Sequence, residues 1–133
     1  MTTAGRTAPG DTPATPGTPL DHQPIVGIWY ATDQATPGVT QLTLASRDGA
    51  LVIHAHGADE PQPHDWGETE ATSYGAGPAA DKAMAFTAEY DFGFLTILLA
   101  AYGKQGILVL DTFTRFHDDS GRSDYFTREF FHR

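Results

Sequence analysis

The sequence has no cysteine, which excludes disulfides and thiolate metal sites. Bases are scarce as well: 8 Lys and Arg stand against 17 Asp and Glu, a formal net charge of −9. A nucleic-acid backbone requires a clustered positive face, so no nucleic-acid partner is expected, nor an anionic membrane surface. Long apolar runs are missing too. The richest stretch, "FLTILLAA", is far shorter than the ~20 residues that cross a bilayer as a helix. No apolar segment of secretory type follows the early base Arg6. These absences predict a cytoplasmic protein with no membrane partner.

The chain is long enough, at 133 residues, for one domain. Residues 1–24 differ from the rest, being built mainly of Thr, Pro, Ala and Gly and carrying five of the nine prolines. Too few large apolar side chains are present to offset an ordering entropy of roughly 1–2 kcal/mol per residue. The composition predicts a disordered tail over 1–24 and a folded domain over 25–133.

That domain reads as short strands divided by turn signals. "PIVGIWYAT" ends at Pro37-Gly38, and "VTQLTLAS" alternates with Leu42 and Leu44 on one face. Asp48-Gly49 is a hairpin signal leading into "ALVIHAH". "DWGETEATSY" follows a loop with Pro61 and Pro63, and "KAMAFTAEY" places Met84, Phe86, Ala88 and Tyr90 on one side. "FLTILLAAY", "ILVLDTFTRF" and "DYFTREFFHR" complete eight strands. No apolar stripe of helical period persists for three turns, so the class is all-β. Hairpin-length links pair neighbours antiparallel, and a meander of eight strands loses its exposed edges by closing. The expectation is a single eight-stranded up-and-down barrel, with a sandwich as the alternative, and an interior just wide enough for side chains or one small ligand.

Gly27-x-Trp29 in the first strand and Arg128 in the last resemble the lipocalin-like group of calycin barrels. The resemblance implies a Trp29 that plugs the barrel floor and an Arg128 stacked on its ring, both structural. The run "HGADEPQPHDWGE" is similar to a motif of small uncharacterised bacterial proteins, in which two cysteines flank a Pro-containing loop before D-W-G. Asp59 and His64 stand at those positions here, and that likeness implies no activity.

Chemistry could reside in "PHDWGE". Strict alternation puts Asp65, Gly67 and Thr69 on one strand face and Trp66, Glu68 and Glu70 on the other. In one reading Trp66 packs at the rim, Gly67 allows a bulge and the acids are solvated. In the other, Glu68 or Asp65 faces the cavity mouth with a pKa raised by apolar surroundings, and His64 shares its proton. His54 and His56, with Asp59 and His64 a short loop away, have a spacing that could hold zinc or iron. Histidines so spaced on a strand are more often rim residues, so no metal is expected. Asp111 and Arg115 read as surface charges.

The expected pocket is apolar, lined by Trp29, Leu42, Leu44, Trp66, Tyr74, Met84, Phe86, Tyr90 and Arg128, with Glu68, Asp65 and His64 as the catalytic candidates. No nucleophile elbow, phosphate loop or dinucleotide fingerprint is present, so no cofactor is expected. Three functions fit. One is a cofactor-independent cyclase or isomerase that folds a hydrophobic substrate into reactive shape. Another is a non-catalytic carrier of an apolar ligand, and the third an interaction module. The outer faces of the terminal strands, with Val26, Ile28 and Tyr30 outward, are apolar enough to predict a homodimer or a docked tail.

Overall fold

The computed structural model describes residues 20–58 and 64–133. Among them are eight strands: β1 (Gly27–Ala31), β2 (Val39–Arg47), β3 (Ala50–Gly57), β4 (Asp65–Tyr74), β5 (Ala85–Asp91), β6 (Leu95–Lys104), β7 (Ile107–Phe116) and β8 (Tyr125–His132). Each pairs antiparallel with its sequence neighbour, and β8 returns to β1 through Tyr30↔His132 and Ala31↔Phe131. The all-β expectation holds, and the sheet is a closed barrel consistent with a lipocalin-like fold. Among the described residues no helix is long and apolar enough to cross a membrane.

Alternation drives closure. Leu51, Ile53 and Ala55 of β3, Phe86, Ala88 and Tyr90 of β5, and Leu95, Ile97 and Leu99 of β6 all turn inward and are buried. The inward-facing residues form one continuous core. Hairpin turns sit where the sequence signals them, with Asp48 and Gly49 both at positive φ between β2 and β3.

Trp29 closes one end of the barrel. Its ring is 2 % exposed and its indole N–H donates to Ile25 O at 2.9 Å. A guanidinium does stack on it, but the partner is Arg133, 4.3 Å from the ring centroid, and not Arg128. Arg128 lies earlier on the strand and on its outer face, where it forks onto Asp111 at 2.7 and 2.9 Å. Arg133 also donates to Val26 O at 2.9 Å. Gly27 serves this stack: its φ is 131°, and a Cβ there would lie 3.3 Å from the Arg133 side chain. The Gly-x-Trp pattern thus combines a backbone shape open to glycine with a plug two residues on.

Residues 20–24 correct the expected tail boundary. Leu20 packs against the core, and Asp21 bridges to Lys82. His22 is buried, with Nδ1 3.0 Å from Ser46 Oγ and Nε2 3.1 Å from Ser73 Oγ. Composition alone missed this because two side chains, Leu20 and His22, suffice to anchor the segment across the barrel end. Residues 1–19 lie outside the described residues.

Two outcomes follow for chemical denaturation. Trp29→Ala should cost about 3–5 kcal/mol, as for a large core ring. Arg133→Ala should cost about 0.5–1 kcal/mol through the lost stack, while Arg128→Ala leaves the midpoint near wild type. Equal effects of the two arginine substitutions would contradict the assignment.

Candidate functional site

The barrel end opposite Trp29 carries the polar chemistry. It is framed by residues 32–38, 92–94 and 117–124 and by the β3–β4 connection, of which 59–63 lie outside the described residues. Asp59, a candidate ligand from the sequence, falls in that gap.

The stretch "HDWG" reaches this rim and is broken by a bulge. His54 pairs with Glu68 but His56 pairs with Asp65, so β4 carries one residue more than β3 between these pairs. Gly67 takes up the difference at φ +78°. One extra residue reverses the facing of everything beyond it. Trp66 therefore turns inward and is buried, whereas Glu68 and Asp65 are both exposed on the outer wall. Strict alternation had put Glu68 on the face of Trp66. The bulge corrects that.

Glu68 is spent on a salt bridge. Both of its oxygens accept from Arg47 at 2.7 Å, and this pairing, outweighing a smaller desolvation, holds its carboxyl below the usual range. Asp65 accepts from the Gly67 N–H at 2.9 Å and stands 2.6 Å from His54 Nε2. The backbone N–H, and next His54, hold its carboxyl low. Neither acid has the apolar setting that would make it a proton donor near neutrality. His64 is exposed, with Nδ1 donating to Gly57 O at 2.6 Å. These three outer-wall residues do not enter the barrel.

Inside the bulge stands Tyr90. Its hydroxyl accepts from Ala55 N–H at 3.2 Å and donates to Gly67 O at 2.8 Å, spanning from β5 to β3 and β4. Burial pushes its pKa up to about 12, so it stays a neutral clasp. Trp66 meets Tyr90 edge-on at 5.2 Å between centroids and Phe92 at 5.9 Å. Arg122 caps the same rim, 4.5 Å over Phe116 and 5.7 Å from Phe94. The rim is aromatic.

A polar patch lies against this apolar wall, contributed by elements the sequence reading left aside. Glu129 of β8 shares the inward face of Phe131 and accepts a short hydrogen bond from Thr36 Oγ1, which in turn accepts from Gly38 N–H at 3.1 Å. Thr127 and Thr112 face each other in the β7–β8 register beside it. Three buried polar atoms here make no hydrogen bond among the described residues: Trp66 Nε1, Thr112 Oγ1 and Thr127 Oγ1. Gly38 and Gly57 bring the parts together. A Cβ on Gly38 would lie 3.4 Å from Glu129 Oε2 and 3.6 Å from Thr127 Oγ1. A Cβ on Gly57 would lie 3.3 Å from Trp66 Nε1 and only 2.7 Å from Gly38 O, so only glycine fits without movement.

The remaining pocket residues divide. Trp29, Leu42, Leu44 and Phe86 are buried core, Trp29 also lining a small cavity at its own end. Met84 lines a cavity of about 170 Å³ at the Trp29 end with Ile25 and Arg133. That is smaller than a typical ligand site. Tyr74 and Arg128 lie outside, Tyr74 with its hydroxyl 3.3 Å from Thr87 Oγ1. An open groove of about 530 Å³ runs beside the β2–β3 hairpin, lined by Leu20, His22, Asp48, Leu51, Glu70 and Ser73 among others. On the outer wall, His54, His56 and Asp65 bring three potential ligand atoms within 4.8 Å of one another.

No protein-family model matches the chain, and comparison with curated proteins and with solved structures finds no significant match. The likeness to lipocalins therefore stands on the closed eight-stranded meander alone.

Tyr90→Phe tests the clasp. Losing the hydroxyl leaves Gly67 O and Ala55 N–H unpaired in a buried place, at about 1–3 kcal/mol. Denaturation should register that loss, together with a shifted Trp66 emission. An unchanged midpoint would mean the bulge does not depend on Tyr90.

Proposed function

We propose that the chain binds a small hydrophobic molecule bearing a hydroxyl or carbonyl group at the barrel end opposite Trp29. The observation that carries this reading is a set of buried polar atoms that make no hydrogen bond among the described residues, Trp66 Nε1, Thr112 Oγ1 and Thr127 Oγ1, near Glu129. A buried polar group without a partner costs about 1–3 kcal/mol, so a ligand that supplies partners recovers that cost on binding. Trp66, Tyr90 and Phe92 offer the apolar body its wall. A few polar groups within an apolar surround is the usual make-up of a small-molecule site.

Chemistry consistent with this setting is a cofactor-independent cyclisation or isomerisation. Glu129, oriented by Thr36, would accept a proton from the bound molecule and return it at another atom. It takes the place first given to Glu68, Asp65 and His64, which face outward. A non-catalytic carrier would use the same residues and differ only in turnover. Tryptophan fluorescence separates site from non-site, since Trp29 and Trp66 are the two tryptophans. Titration with a panel of apolar ketones and alcohols should quench emission. Trp66→Phe should remove the response and Trp29→Phe retain it, while Glu129→Gln weakens binding about tenfold or more, the loss of one charge-assisted hydrogen bond. Quenching that survives both Trp66→Phe and Glu129→Gln would refute the site, and Glu68→Gln should change nothing.

The outer wall supports a second role, pairing with another copy of this chain. Eight large apolar side chains on the outer faces of β6, β7, β8 and β1 are 41–51 % exposed. Five of them fall in two cross-strand rows: Leu98, Phe113 and Phe126 in one, and Tyr102 and Phe130, on either side of the buried Val109, in the other. The Asp111–Arg128 pair lies between these rows. A two-fold axis through that central pair would lay one aromatic row on the other, a self-complementary arrangement. The wall is also poor in acid, with Asp111 against Lys104, Arg115 and Arg128, so the chain's net negative charge does not oppose contact there. Sedimentation at micromolar concentration should give a dimer, and Phe126→Glu with Phe130→Glu a folded monomer. A monomeric wild type would remove this role.

A further inference from the structure

We propose that His54, His56 and Asp65 form a binding site for a divalent transition-metal ion of the zinc type, on the outer wall beside the rim. The inference stands apart from the small-molecule reading, because none of the three residues faces the barrel interior.

Topology assembles the site. His54 and His56 alternate outward on β3, two residues apart, so their side chains emerge from the same face. In a regular ladder the residue across from them on β4 would serve one histidine only. The Gly67 bulge moves Asp65 to the position opposite His56 while leaving it within reach of His54. The carboxylate consequently forks: Oδ1 is 2.6 Å from His54 Nε2 and Oδ2 is 3.8 Å from His56 Nε2. The two imidazole rings lie stacked, 4.5 Å between centroids and 17° apart in plane, with both Nε2 atoms turned toward one acid.

As a purely protein-internal contact this arrangement is incomplete. His54 takes the carboxylate, but His56 Nε2 at 3.8 Å is beyond hydrogen-bond range. His56 Nδ1 is buried and makes no hydrogen bond among the described residues. At these distances the shared carboxylate hydrogen-bonds one ring and does not satisfy both. A cation between the three groups does. Zinc binds imidazole nitrogen and carboxylate oxygen at about 2.0–2.2 Å, which places tetrahedral ligand atoms about 3.4 Å apart. The three ligand atoms already lie within 4.8 Å of one another, so side-chain rotation alone closes the set. The Gly67 N–H holds Asp65 Oδ1 at 2.9 Å, the kind of outer hydrogen bond that orients a ligating carboxylate. Glu68, the other acid in reach, is committed to Arg47 and does not compete. Two nitrogens and one oxygen without sulfur suit Zn²⁺, Ni²⁺ or Cu²⁺ over Mg²⁺ or Ca²⁺. Solvent exposure leaves the remaining coordination position to water.

The test is calorimetric titration of the full, untagged chain with ZnCl₂. It should show one ion per chain at micromolar affinity, and MgCl₂ should give no heat. His56→Ala, His54→Ala and Asp65→Asn should each weaken binding at least tenfold, while His117→Ala, on another loop, leaves it unchanged. Far-UV circular dichroism checks that each variant keeps its fold. Zinc should also raise the melting temperature of the wild type and not that of His54→Ala/His56→Ala, a readout independent of calorimetry. Absence of heat with zinc, or affinity retained in the double variant, would overturn the proposal.

Discussion

A single backbone constraint organises the barrel end opposite Trp29: the extra residue in β4 at Gly67. With Gly67 at φ +78°, the indole of Trp66 turns into the barrel and the acids on either side turn out of it. Tyr90 holds that geometry from the opposite side through its hydroxyl on the Gly67 carbonyl. Without the bulge, Trp66 and Glu68 would share a face and a carboxylate would be driven among Tyr90 and Phe92. Desolvating an unpaired carboxylate there would cost far more than the strand ladder loses by skipping one pair. The same extra residue places Asp65 across from His56, so one local irregularity shapes both walls of β4.

The sequence was most legible where period and chemistry agreed. Alternation in β2, β3, β5 and β6 made the inner faces readable, and Gly-x-Trp marked the closed end. What failed did so for identifiable reasons. Arg128 and Arg133 flank Phe130 and Phe131 on either side, and alternation alone would have put Arg128 outside, beside Asp111 on its partner strand. Gly67 announced a bulge, but a bulge's direction depends on the strand it pairs with. Glu129 was readable in principle: Tyr125, Thr127, Glu129 and Phe131 form one face, and Phe131 is core. Thr36 carried no local signal, because its partner is 93 positions away. Leu20 and His22 were hidden within a composition that reads as tail.

The molecule also separates its charges by surface. Away from the apolar wall, Glu68, Asp21 and Asp118 are paired with Arg47, Lys82 and Arg122, and Asp65 is held by a backbone N–H. The β6–β7–β8 wall is instead apolar and nearly free of acid. The excess of acid behind the net charge of −9 thus lies away from the wall proposed above for pairing.

The central claim is that the inward polar patch around Glu129 is where a ligand sits, and the indole N–H of Trp66 reports on it directly. In a ¹H–¹⁵N correlation spectrum, a bound apolar ketone or alcohol should move the Trp66 indole resonance together with the amides of Gly38, Gly57 and Glu129. The Trp29 indole, fixed by the Ile25 carbonyl, should stay in place. Shifts confined to the Trp29 end, to the groove beside the β2–β3 hairpin or to the outer aromatic wall would contradict the account.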